Sequence, residues 1–259
     1  MNNIEVISEP TEEKPFLIIN KPKGLPSAPL SCDDKENVIS YAIKMFPQIE
    51  NVVGHKKIEY GLIHRLDTVT DGLLVIATSQ KCYDFFMEEQ KNKRFFKYYT
   101  ARCADLPLNA KELGGFPFCK ECLRDTQSAV LSSYFRPFGS GSKEVRPVTE
   151  DSGKAALKKI CKQKTYFTDV NIIDSGGKNK FGRECKIIKC KIAEGYRHQV
   201  RCHLAWAGWP VNGDVLYNAD LKNEEKKNAE QPIEFSATKI EFEYPRGDLN
   251  SYEIALTWT

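Results

Sequence analysis

The chain has 259 residues, with 38 Lys+Arg against 35 Asp+Glu for a formal net charge of +3, and it is 41% apolar and 28% charged. That composition excludes a disordered chain and a coiled coil, and the length suits one large domain or two small ones with a substantial core. The longest apolar run, Leu73–Ala77, is too short to span a bilayer. Met1–Glu13 carries four acids and no base, so it reads as neither a signal nor a transit peptide, and residues 1–14 read as an acidic tail.

Taken in chain order, Pro15–Asn20 reads as a short buried strand, and Lys21-Pro22-Lys23-Gly24-Leu25-Pro26 as the turn that ends it. Asn37–Phe46 has helical spacing at Val38, Tyr41, Ala42 and Met45 and is stopped by Pro47. The continuous apolar strand Gly72–Thr78 leads into a helix capped by Thr78 or Ser79 and reaching to about Asn92. Phe95–Ala104, aromatic and alternating, is the next strand, and Asp105–Asp125 is irregular. Further strands are expected at Ala129–Phe135, Thr165–Ile173 and Cys185–Ala193, with loops at Gly139–Ser142 and Ser175–Lys180. His198–Ala207 is a short helix with Val200, Leu204 and Ala207 on one face and Gly208 as its stop. Lys239–Tyr244 and Tyr252–Trp258 alternate as closing strands. Strands with irregularly inserted helices predict an α+β fold with a mixed sheet.

The small net charge hides its distribution. Lys91–Arg102 holds five bases and no acid, Lys154–Lys164 five lysines and no acid, and Lys178–His203 eight bases against two acids. These 49 residues carry +16, so the remaining 210 carry −13. One such window alone reads as solvated lysines on an amphipathic element. Three together, one of them interleaved with Phe95, Phe96, Tyr98 and Tyr99, point to a polyanionic partner.

Nine cysteines, an odd number with no secretory leader, predict reduced thiols in a cytoplasmic protein. Cys119 and Cys122 form a CxxC with Cys103 upstream, which is one ligand short of a structural zinc site. Nothing thioredoxin-like surrounds the pair. Buried small side chains are the expectation, and a zinc-stabilised binding module is the weakest of the readings.

Three strings carry chemistry: His64-Arg65-Leu66-Asp67, Lys97-Tyr98-Tyr99-Thr100-Ala101, and Gly195-Tyr196-Arg197-His198-Gln199-Val200-Arg201. The first puts a carboxylate, Asp67, in a turn before a buried strand, where it is costly unless a cation or several N–H donors satisfy it. Arg201, at the start of the short helix, is the expected cation, and the pairing would keep Asp67 ionised. A turn carboxylate bonded to its own backbone is the alternative from composition alone.

The strings resemble the signature of the RluA-type RNA pseudouridine synthases. His64–Ala77 reads HRLDTVTDGLLVIA against HRLDxxTSGLLVxA, and His203–Tyr217 reads HLAWAGWPVNGDVLY against HLAxxGxPxxGDxLY. Lys21-Pro22-Lys23-Gly24 resembles KPxG, while Lys97, Tyr99 and Ala101 match KxYxA. The likeness runs in consistent order from about Phe16 to Tyr217. It implies a mostly antiparallel mixed sheet in two lobes with a central catalytic cleft, the whole chain forming one catalytic domain without the small S4 RNA-binding domain. It further implies that Asp67 is the catalytic aspartate, that Tyr99 stacks on the target uracil, and that Arg201 pairs with the aspartate. Arg65 would help fill the space left by a flipped nucleotide, and Lys97, Arg197, His64 and Lys21 would lie against RNA. The isomerisation is redox-neutral, so neither cofactor nor metal is expected. The implied partner is tRNA or rRNA, met by a monomer with no membrane and no obligatory protein partner.

Two departures stand out. Asp71 occupies the place of the usual serine, and it is expected to face solvent or to pair with Arg65 or a nearby lysine. The usual GRTHQIR reads GYRHQVR, which moves one arginine to Arg197 and puts a phosphate or positioning contact in doubt. His198 and His203 are expected to bond sheet neighbours rather than metal, Trp206 and Trp209 to pack, and Tyr98 to face away from Tyr99. A non-catalytic RNA-binding or chaperone protein on the same fold is the competing reading.

Overall fold

The structure, a computed structural model, describes residues 4–29, 31, 34–106, 116, 119, 126–222, 232–256 and 258. Strands β1 (Glu5–Ser8) and β2 (Phe16–Lys21) are followed by helix α1 (Val38–Met45), β3 (Asp71–Ala77) and α2 (Gln80–Lys91). Then come β4 (Phe96–Ala104), β5 (Ser128–Phe138), β6 (Glu144–Val148), α3 (Gly153–Leu157), β7 (Tyr166–Lys178) and β8 (Glu184–Ile192). The chain ends through α4 (Gln199–Trp206), α5 (Ala219–Lys222), β9 (Phe235–Glu243) and β10 (Leu249–Glu253). It divides into two compact units, one comprising the residues up to Lys97 with nearly all of those from Ser236 onward, the other Tyr98–Phe235.

In the first unit the strand order is β1-β2-β3-β9, with β10 pairing β9. β1 on β2, β2 on β3 and β10 on β9 are antiparallel, whereas β3 and β9 run parallel through Asp71↔Ser236 and Gly72↔Ala237. Gly72 is required there: at φ +120, a Cβ would stand 2.2 Å from the Ala237 carbonyl oxygen. Every residue of β3 is buried, which is why it reads as a continuous apolar run rather than an alternating one. α2 starts where Ser79 Oγ accepts from the Cys82 N–H at 3.3 Å, and it buries Cys82, Tyr83, Phe86 and Glu89. Phe86 is the hub of the core, with ring centroids 5.6 Å from Phe16, 4.9 Å from Phe242 and 5.7 Å from Phe95, each edge-on.

In the second unit the order is β4-β8-β7-β5-β6, and its described pairings are antiparallel. Leu131, Ser133 and Phe135 of β5 and Tyr166, Thr168 and Val170 of β7 alternate inward. α4 is buried at all eight positions, not along the single face expected of it. Its His203 is held between the sheet hydroxyls, Nε2 at 2.9 Å from Ser133 Oγ and Nδ1 at 2.9 Å from Thr168 Oγ1. Burial pushes the pKa of His203 down to about 3, so its imidazole is neutral.

Several elements depart from the sequence expectation. Residues 5–8 of the expected acidic tail form β1, anchored by Asn20 Nδ2 donating to Glu5 Oε2 at 2.9 Å. β7 continues past Ile173 to Lys178 through two register shifts, which turns most of the expected loop at Ser175–Lys180 into ladder. Gly176 allows this, since a Cβ there would lie 2.9 Å from the Cys185 Cβ. β6, α3 and α5 were not anticipated, and β6 tolerates Pro147 because it is an edge strand. The last strand is Leu249–Glu253, shorter and earlier than Tyr252–Trp258. Most of Asp105–Asp125 lies outside the described residues.

Candidate active site

Asp67 lies in the first unit, in a loop that is stitched to the Lys21–Ser27 turn. Lys21 Nζ donates to the carbonyls of Pro22 at 2.9 Å, Leu25 at 2.7 Å and Thr68 at 3.4 Å. The Gly24 N–H donates to Thr68 O at 2.8 Å. Ser27 Oγ donates to Leu66 O at 2.9 Å and accepts from the Leu66 N–H at 3.0 Å. Asp67 itself closes the loop, its carbonyl accepting from the Thr70 N–H at 3.0 Å. Five of these hydrogen bonds engage the backbone of residues 66–70 and so fix it on both sides of one carboxylate.

Lys21 does not lie where the expectation of an RNA contact put it. Its side chain is fully buried and its ammonium is committed to three carbonyls. Burial lowers its pKa to about 8, opposed by the negative charges of Asp71 first and Asp67 second. Asp71 is only 6% exposed, so it does not face solvent. It accepts from Ser236 Oγ at 2.7 Å and stands 3.7 Å from Lys23 Nζ, the nearby-lysine pairing expected of it.

His64 is held beside this loop, its Nε2 accepting from the Val75 N–H at 3.4 Å and its ring 5.5 Å from that of Phe95. Nδ1 is buried without a hydrogen-bond partner among the described residues. Burial, reinforced by the charge of Lys97, keeps His64 well below its ordinary pKa. Lys97 is itself buried, its Nζ 5.5 Å over the Phe95 ring. Arg65 points outward, its side chain 60% exposed and 3.1 Å from Glu59 Oε1.

Tyr99 and Arg201 lie in the second unit. Alternation along β4 buries Lys97 and Tyr99 and half-exposes Tyr98, as expected of neighbours on opposite faces. Tyr99 stacks on Phe235, with centroids 5.1 Å apart and planes 5° from parallel. Arg201 is buried in a bidentate pair with Asp214, Nε to Oδ2 and Nη2 to Oδ1 both at 2.8 Å. Asp214 belongs to the GDVLY string, and its Oδ1 also accepts from the Leu216 N–H at 3.0 Å. Arg197, the displaced arginine, donates to the carbonyls of Ser142 and Glu144 and so latches the turn between β5 and β6. His198 adopts a left-handed conformation at φ 55, its Nδ1 3.0 Å from the Tyr217 hydroxyl.

Sequence reasoning missed Phe235, Ser27 and Ser236, which carry no motif signal, and quoted Asp214 without assigning it a partner. Of the cysteines, Cys103 and Cys119 are buried, while Cys122 lies outside the described residues. Among the described residues no helix is long and apolar enough to cross a membrane.

A family model described as RNA pseudouridylate synthase matches residues 15–206. A Mycoplasma pneumoniae protein named as an uncharacterized RNA pseudouridine synthase is 26% identical over 234 residues, 90% of this chain and 61% of that protein. The ribosomal large subunit pseudouridine synthase D of Borreliella burgdorferi is 24% identical over 206 residues, 80% of this chain and 53% of that protein. The chain therefore spans less than two thirds of the length of these curated relatives. Among solved structures, a human protein named RNA Pseudouridylate Synthase Domain Containing 1 superposes with a TM-score of 0.63 at 17% identity, over 98% of this chain and 83% of that one. That likeness carries the fold, and the match over residues 15–206 carries the family: the chain belongs to the RNA pseudouridylate synthases, in their RluA-type branch.

Proposed function

We infer that this chain isomerises uridine to pseudouridine in RNA, with Asp67 as the reacting carboxylate and Tyr99 as the aromatic face for the displaced base. The observation that carries the reading is the hydrogen-bonded cradle of Lys21, Gly24 and Ser27 around the Asp67 loop, inside a family match that spans the same residues. The reaction breaks the N1–C1′ glycosidic bond and forms a C5–C1′ bond to the same sugar; the C5 proton is lost and N1 takes one up, so the product is an isomer of the substrate. No electrons are exchanged, so the chain needs a fixed carboxylate and a stacking surface rather than a redox group. The target nucleotide must leave its stack to reach the carboxylate.

Arg201, Arg65, Arg197 and His64 complete the reading as groups that position the carboxylate or the RNA around it, whereas Lys97, buried over the Phe95 ring, does not take the RNA-contact role expected of it. Arg201, bidentate on Asp214, supplies a rigid guanidinium rather than a mobile one. The substrate is tRNA or rRNA. The name of the Borreliella burgdorferi relative favours the ribosomal large subunit. The protein acts as a cytoplasmic monomer without a cofactor.

The test uses transcripts of large-subunit rRNA and of tRNA carrying uridine tritiated at C5. Wild type releases tritium as C5 takes the glycosidic bond, and Asp67→Asn folds normally but releases none. Turnover by Asp67→Asn removes that residue from its role. Wild type that binds the transcripts but releases nothing from either favours the non-catalytic RNA-binding reading.

A further inference from the structure

The acid at position 71 is where this chain leaves the pattern it otherwise follows, and its surroundings give it work. Three neighbouring strands meet there: Lys21 of β2 pairs with Gly72 of β3, and Asp71 of β3 pairs with Ser236 of β9. The Asp71 carboxylate, nearly buried, accepts from Ser236 Oγ at 2.7 Å and has Lys23 Nζ at 3.7 Å. The fully buried ammonium of Lys21 is the clasp between the turn at 22–25 and the loop that carries Asp67. The charged groups bearing on this place are Asp71 on β3, Asp67 on the preceding loop and Lys23 on the turn.

We propose that Asp71 is a positioning residue: its nearly buried carboxylate, fixed by Ser236 and next along β3 to the Gly72 that pairs with Lys21, is the counter-charge beside the buried ammonium that clasps the Asp67 loop to the 22–25 turn. A buried ammonium without a counter-charge loses its proton, and a neutral amine gives up one donor of the three-carbonyl clasp. A serine at 71, as the related motif has it, would carry no charge to prevent this. Lys23 balances the added acid, so the KPKG turn and the TDG string are matched in charge in this chain. The inference rests on the reading of Asp67 as the reacting carboxylate.

The experiment follows the full-length protein with lysine labelled with carbon-13 at Cε, the Lys21 resonance being the one lost in Lys21→Met. In wild type this resonance titrates near pH 8. The backbone amides of Gly24 and Leu66, which report the stitching, move with the same midpoint. In Asp71→Asn both midpoints fall by about one pH unit or more. The alkaline limb of kcat, read by tritium release, falls with them. In Lys23→Gln the midpoints do not fall, because Asp71 then has Lys21 as its main counter-charge. Should Asp71→Asn fail to fold, Asp71→Ser is read in its place, with the same result expected.

A Lys21 midpoint that stays in place in a folded Asp71 variant overturns the proposal. So do Gly24 and Leu66 amides that ignore the titration, and so does an alkaline limb that does not move while the midpoint does. Wild type that releases no tritium overturns the assigned reaction instead. In that case the lysine and amide titrations still decide whether Asp71 holds the clasp.

Discussion

Arg201 and Asp214 form a fully buried, two-point ion pair, their side chains 4% and 0% exposed. Because Asp214 Oδ1 also accepts from the Leu216 N–H, the pair fastens α4 to the turn that follows it. The guanidinium also lies 5.5 Å over the Tyr217 ring, so three parts of one segment meet at a single cation. Breaking such a pair leaves a charge buried without compensation, which costs about 3–5 kcal/mol. Asp214→Asn is therefore expected to lose that much stability in urea unfolding, and Arg201→Lys to lose much of it, since an ammonium does not reproduce the fork. An Asp214→Asn protein as stable as wild type removes the pair from its structural role.

Tyr99 is already half of an aromatic stack before any base arrives. With its planes 5° from parallel to Phe235, the ring is fixed in orientation by a neighbour in the second unit. Tyr99→Phe keeps that stack and is expected to bind RNA nearly as wild type does. Tyr99→Ala removes the face and is expected to weaken binding of a uridine-containing transcript by about 1–3 kcal/mol. Filter binding of the three proteins measures this, and equal affinity for Tyr99→Ala removes the ring from base recognition.

What the sequence made legible were features decided locally. The apolar run of β3, the cap of α2, read as Thr78 or Ser79 and found at Ser79, and the alternation of Tyr98 and Tyr99 each depend on residues within a few positions of one another. Features decided by partners distant in the chain were not legible. Whether Lys21 is an RNA contact or a buried clasp depends on Thr68, 47 residues away, and nothing in the KPKG string tells the two apart. The destination of Arg197 is likewise set by carbonyls 53 and 55 residues earlier. β6 was missed because Pro147 argues against a strand until its position at the sheet edge is known. The basic windows were visible, but not that Arg94, Arg102, Arg183 and Arg201 each meet an acid from outside those windows: Glu89, Glu234, Asp220 and Asp214.

Two histidines are held neutral by burial, and this gives stability a defined response to acid. His203 has its folded-state pKa near 3, and His64 lies well below its ordinary value. The unfolded chain therefore binds more protons than the folded one at acid pH. Stability is fully present above about pH 6.5 and is lost as pH falls toward the folded values, by about 1.4 kcal/mol per pH unit for each histidine. Urea midpoints measured from pH 7 to pH 4 are expected to fall less steeply in His203→Gln than in wild type. A variant with the wild-type slope removes His203 from the acid response.

With those arginines occupied, the charge left for a polyanion rests largely on lysines. Lys154, Lys158, Lys159 and Lys162 are exposed along α3 and the residues after it, whereas Lys164 is paired with Glu194. If these four meet phosphates, each releases a counterion on binding and steepens the dependence of affinity on salt by about 0.7 to 0.9 in log–log slope. The variant with all four changed to Gln is expected to bind RNA with a slope shallower by about 3 and with weaker affinity at low salt. Its tritium release at saturating RNA should remain, because none of the four lies in the Asp67 loop or the Arg201 pair. Filter binding across a salt series measures the slope. An unchanged slope makes this window a solvated face of the second unit and shifts the RNA contact to the lysines of β8, where Lys191 Nζ sits 5.5 Å over the Tyr98 ring.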